Sequence, residues 1–151
     1  MPEVGEPLIR RQYPHLRAEE SRLLRFHLQE TGVESVDRLR TQVRVGKGEV
    51  VENLRPKYRE MARDLSRWKI DAVIDRPGRT EIVELKSRVT HTAMGQLIGY
   101  SNALRQYDDE RSQFRLYAIG FRAHPDIDLG RSGTGIRVVL YPQADRTEAS
   151  R

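Results

Sequence analysis

The chain has 151 residues, enough for one domain with one real core and little room for a second. It contains no cysteine, which excludes disulfides, cysteine-ligated zinc and iron–sulfur clusters. Net charge is +5, with 23 Arg against 4 Lys, a balance that suits phosphate-bearing partners and equally a GC-rich genome or a thermophilic host.

Residues 1–12 hold two prolines without periodicity and are expected to lie loosely on the surface. "RAEESRLLRFHLQETG" predicts a helix: Leu23, Leu24, Phe26 and Leu28, with Leu16 before them, supply its apolar positions, and Gly32 is its stop. Val36 to Val45 alternates as a strand, with Leu39, Thr41, Val43 and Val45 facing one way, and ends in the turn signal "GKG". Pro56 opens a second helix on which Tyr58, Met61 and Leu65 recur at helical spacing. "WKIDAVID" and "TEIVELKS" read as two strands around the turn "RPGR". A helix follows from about Thr92 to Tyr107, with Met94, Leu97, Ile98 and Leu104 as its apolar stripe. "FRLYAIGF" is a strand, "HPDIDLGRSGTG" a loop and "IRVVLY" a last strand. The order predicts an α/β fold in which helices pack on a mixed sheet, as a single domain over residues 13–141 with a disordered tail over 142–151. No stretch approaches the roughly 20 apolar residues of a membrane span, and the N-terminus lacks a signal peptide's apolar core; a cytoplasmic location is expected.

The hairpin carries the chemistry. If "RPGR" is a four-residue loop, Asp75 pairs with Thr80, and the same count places Asp71 opposite Glu84. Directly opposed residues on antiparallel strands share a face, with Cβ atoms about 4.5–5.5 Å apart. Lys86 lies on that face too, because strand side chains alternate with period two. Two facing carboxylates repel, and a divalent cation resolves the repulsion; Mg²⁺ suits one or two carboxylates completed by phosphate and water. An Glu-x-Lys tripeptide by itself arises readily by chance or serves solubility on an exposed strand. The matching Asp71 is what points to a metal. On the following helix Gln96 and Tyr100 stand at i and i+4 and share a face, either as core and surface or as contacts to a nucleic-acid backbone.

"IDAVID…EIVELKS…GQLIGY" resembles the PD-(D/E)xK nuclease superfamily, in which an Asp on one strand precedes an Glu-x-Lys on the next. The Gln-x-x-x-Tyr helix is similar to the motif of RecB-like members. The resemblance covers roughly residues 17–120 and implies a restriction-endonuclease-like fold, a mixed β-sheet flanked by α-helices, and Mg²⁺-dependent hydrolysis of phosphodiesters in DNA, with Mn²⁺ able to substitute. By position it implies Asp71 and Glu84 as metal ligands together with the Leu85 carbonyl. Lys86 would orient or activate the attacking water, and Gln96 and Tyr100 would position the site or the DNA strand. Ile70 replaces the family's Pro. The early-helix Glu is assigned to Glu20, with Glu19, Glu52 and Glu60 as alternatives. A small stand-alone member resembles the phage and archaeal Holliday-junction resolvases, which act as homodimers, although their N-terminal basic motif is not recognisable.

Arg88, Arg105, Arg111, Arg115 and Arg122 cluster in sequence around the proposed site and would give salt-sensitive phosphate binding, or form a solvated face. His15, His27, His91 and His124 show no ligand spacing, and "RSGTG" (131–135) reads as a flexible turn rather than a phosphate loop. The expected activity is a Mg²⁺-dependent DNA endonuclease with branched DNA as a candidate substrate. A sequence-specific restriction-type nuclease and a non-catalytic nucleic-acid-binding or assembly protein are the alternatives.

Overall fold

The computed structural model describes residues 12, 13, 15–48, 53–107, 114–127 and 135–145. In chain order these form α1 (Ala18–Thr31), β1 (Arg38–Val45), α2 (Pro56–Ser66), β2 (Trp68–Arg76), β3 (Arg79–Val89), α3 (His91–Tyr107), β4 (Phe114–Ala123) and β5 (Ile136–Leu140), with short 3-10 turns at Val33–Ser35 and Pro142–Asp145. Expectations about residues 1–11, Glu52, Arg111, the loop at 128–134 and the tail from 146 fall outside the described residues.

One mixed sheet runs β1-β2-β3-β4-β5. The first three strands are antiparallel neighbours, and β4 and β5 run parallel to β3. A parallel pair cannot be closed by a tight turn, and α3 supplies the crossover between β3 and β4. The two faces are covered separately. Leu23, Leu24 and Leu28 of α1 pack with Ala72, Ile74, Val83, Leu85 and Ile119 on one side. Ala93, Leu97 and Tyr100 of α3 pack with Val73, Ile82, Ala118 and Val138 on the other. Each fully buried aliphatic side chain contributes about 1.5–3 kcal/mol relative to exposure, so the two faces supply the main driving force for folding. The chain is therefore an α/β domain with its sheet flanked by helices. Among the described residues no helix is long and apolar enough to cross a membrane.

Four expectations are corrected. The hairpin loop is two residues long, Pro77 and Gly78, because Arg76 and Arg79 pair; the Asp75–Thr80 register is the expected one. Pro77 presets a negative φ and Gly78 takes φ 76°, which only glycine adopts without strain. Ile98 does not belong to the buried stripe of α3 and is 39% exposed; Ala93 and Tyr100 fill the buried face instead. Pro142–Asp145, expected in a disordered tail, forms a 3-10 turn, and Ala144 packs against the α1-side core.

The fourth correction concerns β1. Leu39 packs on the α1 side, whereas Val43 and Val45 pack on the α3 side, so the four alternating residues do not share one face. Between them Gln42 has φ 52°, and the pairing with β2 skips from Thr41–Ala72 to Val43–Ile70. β2 changes sides at the same level, with Ile74 and Ala72 on the α1 side and Ile70 on the α3 side. Val89 of β3 and Ala123 of β4 likewise leave the side that Leu85 and Phe121 occupy. A crease thus crosses four strands, and in β1 it coincides with the left-handed Gln42. Strand periodicity places side chains correctly only up to such a break.

Next to the crease, Gly120 of β4 pairs with Lys86. A Cβ there would stand 2.6 Å from the Lys86 carbonyl oxygen and 2.9 Å from Val89 Cγ2. Neither backbone nor a buried Val can withdraw cheaply, so Gly120→Ala is expected to cost about 1–3 kcal/mol. Urea unfolding would show it as a lower midpoint at unchanged slope.

Candidate active site

The antiparallel ladder between β2 and β3 holds as far as Ala72–Val83, one pair short of Asp71 and Glu84. At that point the Asp71 side chain enters the hydrogen bonding: its Oδ2 accepts the Leu85 amide at 2.8 Å, and its Oδ1 accepts a long bond of 3.5 Å from Gln42 Nε2. Glu84 is 2% exposed. Its Oε1 lies 3.4 Å from Lys86 Nζ, and its Oε2 is buried without a hydrogen-bond partner. Lys86 is half-buried, so its ammonium reaches from the carboxylates toward solvent. The hairpin count made on the sequence thus brings Asp71, Glu84 and Lys86 together.

The electrostatics follow from burial. Glu84 is pushed up to about 8, first by loss of solvation and then by the Asp71 charge, with Lys86 opposing. Asp71 is raised as well, chiefly by burial and further by Glu20, while the Leu85 amide and Lys86 pull it back. The two carboxyls lie within hydrogen-bonding reach and share the difficulty of ionising together. Tyr100 also reaches Glu84, and burial beside that carboxylate raises its phenol, which stays a neutral donor.

The remaining expected residues fall into three groups. Glu20 is near enough to Asp71 to act on its charge, and its Oε1 also accepts the Arg17 amide at 2.9 Å, capping α1. Glu19 instead accepts a hydrogen bond from Ser87 Oγ, tying α1 to β3. Glu60 lies exposed on α2 beside Lys57, Arg59 and Arg63. Gln96 is half-buried, and its Oε1 is buried without a partner. It lines a cleft of about 540 Å³ with Trp68, Lys69, Gly95 and Tyr100. Arg88, Arg105, Arg115 and Arg122 are all exposed, and Arg122 lies 3.8 Å from Asp145.

Among the described residues no cluster of three or more His, Cys, Asp or Glu is arranged to hold a metal. Two carboxylates suffice for Mg²⁺ when phosphate and water complete the shell. The donor set fits that case, since Glu84 Oε2 is buried without a hydrogen-bond partner and burial beside Asp71 makes the carboxyl reluctant to ionise, the condition a cation would relieve. The Leu85 carbonyl enters only through the resemblance.

Two features escaped the sequence. Gln42 donates to Asp71 from a left-handed position, for which a Gln in an alternating strand gives no signal. On the α1 face, Arg76 and Glu81 are almost fully buried and bonded at 3.2 Å. Arg76 also donates to the Gly32 carbonyl at 2.8 Å and to the Ser35 and Thr31 hydroxyls. Arg79 reaches Glu81 Oε2 at 3.1 Å, and His27 Nε2 lies 3.8 Å from Oε1. His27 Nδ1 in turn meets the Tyr141 hydroxyl at 2.8 Å. Burial would raise Glu81, but His27 and Arg76 outweigh it and hold the carboxyl below its ordinary value.

No family model and no curated protein matches the chain. A solved crystal structure of a protein of unknown function is similar at a TM-score of 0.46 and 15% identity, over 78% of this chain and 54% of that one. This chain therefore spans about half the length of that protein, and the likeness names no function.

Proposed function

We propose that the protein is a metal-dependent DNA endonuclease with a restriction-endonuclease-like core, as the PD-(D/E)xK resemblance implies. The observation that carries the reading is the buried Asp71–Glu84 pair, with its raised pKa values, its unpartnered Glu84 Oε2 and Glu84 Oε1 3.4 Å from Lys86 Nζ. A fold-stabilising pair would be complemented on every atom; this one leaves Glu84 Oε2 buried without a hydrogen-bond partner.

Asp71 and Glu84 would hold Mg²⁺, with Mn²⁺ as a substitute. Bound there, the cation would polarise the phosphate and lower the pKa of water. The chain's own groups do the rest. Lys86 presents its ammonium beside the carboxylates, where it offsets negative charge growing on the phosphate. Tyr100, neutral, donates to Glu84 and holds its orientation. Leu85, through its amide, fixes the Asp71 carboxylate. Exposed Arg88, Arg105 and Arg115 would contact phosphates and make binding salt-sensitive. A homodimer acting on branched DNA is the finer form of the proposal.

The test is a cleavage assay on four-way junction, flap, linear duplex and single strand, with Mg²⁺ or EDTA. Lys86→Ala is expected to slow cutting by roughly 100- to 1,000-fold, the effect of removing one charge-stabilising donor. Its side chain is half exposed, so the denaturation midpoint should hardly move. Wild-type cutting by this variant would refute the role of Lys86. DNA binding with no cutting of any substrate would favour the non-catalytic reading.

A further inference from the structure

The chain has a single tryptophan, Trp68, at the first position of β2. Tryptophan is highly buried on average, yet this one is 52% exposed. It is also held in place. Its ring lies against Gly99 so closely that a Cβ there would stand 1.9 Å from the indole, and Tyr100 meets it edge-on at 5.9 Å between centroids. The ring is thus braced from beneath by α3 while half of it faces outward.

Its surroundings suit a nucleic-acid strand. Trp68 and exposed Lys69 line the cleft of about 540 Å³ with Gly95, Gln96 and Tyr100. At Gly95 a Cβ would meet nothing within 4 Å, so that wall is open. Tyr100 connects the cleft to the carboxylates, because the same side chain that touches Trp68 reaches Glu84. A flat aromatic surface, a cation and a polar amide arranged in a continuous path to the proposed cutting site form the elements of a single-strand track. Base pairs present no exposed π-face except at an end, whereas every unpaired base does.

We infer that Trp68 is a stacking platform for an unpaired base next to the scissile phosphate, with Lys69 on the adjoining phosphate, so the site takes substrates that have single-stranded character. This rests on the nuclease reading for what is cut, but not for what is bound. The test is therefore made in EDTA, where binding is seen without cutting.

Because Trp68 is the sole tryptophan, its fluorescence reports directly on the cleft. A ten-nucleotide oligothymidine is expected to quench the emission, and a blunt duplex of similar charge to quench it much less. Read by the anisotropy of a dye-labelled oligothymidine, since these variants carry no tryptophan, Trp68→Ala should weaken binding by about 5- to 150-fold, as loss of one stacked base does, and Trp68→Phe should recover part of it. Lys69→Ala should lower the salt dependence by about one phosphate contact. Absence of quenching, or unchanged affinity in Trp68→Ala confirmed as folded by circular dichroism, overturns the proposal. So does an emission that shifts with protein concentration alone while Trp68→Ala turns a dimer into a monomer, since a second copy of the chain would then cover the ring. If stacking fails while cutting persists, only the platform is lost. If no substrate is cut but quenching stands, the nuclease reading falls and the strand-binding surface stays.

Discussion

Glu84→Gln is expected to abolish most cutting and, in the absence of metal, to make the fold more stable at alkaline pH. Unfolded, Glu84 ionises near 4.5; folded, it does so at about 8. Between these values the folded chain keeps a proton that the unfolded chain has released, so stability falls as pH rises through that window. Above about 8 the wild-type fold must carry two buried charges side by side, at a cost on the order of a few kcal/mol. Glutamine has the same shape and never ionises, so the variant's unfolding free energy in EDTA should lose most of this decline between pH 5 and pH 8.5. Mg²⁺ reverses the picture. Binding expels the proton, so the thermal shift it gives the wild type should grow from pH 6 to pH 8, and in Glu84→Gln it should nearly vanish. Cutting should fall by at least about 100-fold. A variant that cuts normally, or whose stability profile tracks the wild type, would remove Glu84 from the site.

The second large effect lies on the opposite face. Glu81→Ala leaves Arg76 buried with its principal counter-charge gone, and deprives Arg79 and His27 of the same carboxylate. Removing one partner of a buried pair costs about 3–5 kcal/mol, a large share of the stability of a domain this size. The unfolding midpoint in urea should drop accordingly. A paired replacement such as Arg76→Met with Glu81→Leu should recover much of the loss, because no charge is then stranded. A change below about 1 kcal/mol in Glu81→Ala would mean that water reaches the pair and the network is not the anchor its burial suggests.

The hairpin register was legible because it depends on short-range chemistry: a Pro-Gly turn and two runs of apolar residues with charges at odd steps. That is enough to bring Asp71, Glu84 and Lys86 together. The helix spacing likewise brought Gln96 and Tyr100 onto the cleft. What the sequence hid depends on contacts between distant segments. Arg76 and Glu81 flank a turn, a place where charges ordinarily stay in solvent, yet both are buried, with Thr31, Gly32 and Ser35 at and just beyond the end of α1 accepting from Arg76. Ile98 fits the helical stripe, but the stripe of α3 is rotated toward Ala93 and Tyr100. Pro142–Asp145 looks too polar to order, yet Tyr141 just before it is held by its hydroxyl on His27 and its ring 5.1 Å from Phe26. No rule of periodicity anticipates a left-handed Gln42.

The shared sheet has a consequence for how the domain comes apart. By alternation β2 sends Ala72 and Ile74 to the layer under α1 and Val73 to the layer under α3, and beyond Gln42 and Asp71 the same strands continue under α3 with Val43, Val45 and Ile70. Neither layer can lose its strands without stripping the other, so the two cores are expected to melt together in a single cooperative transition.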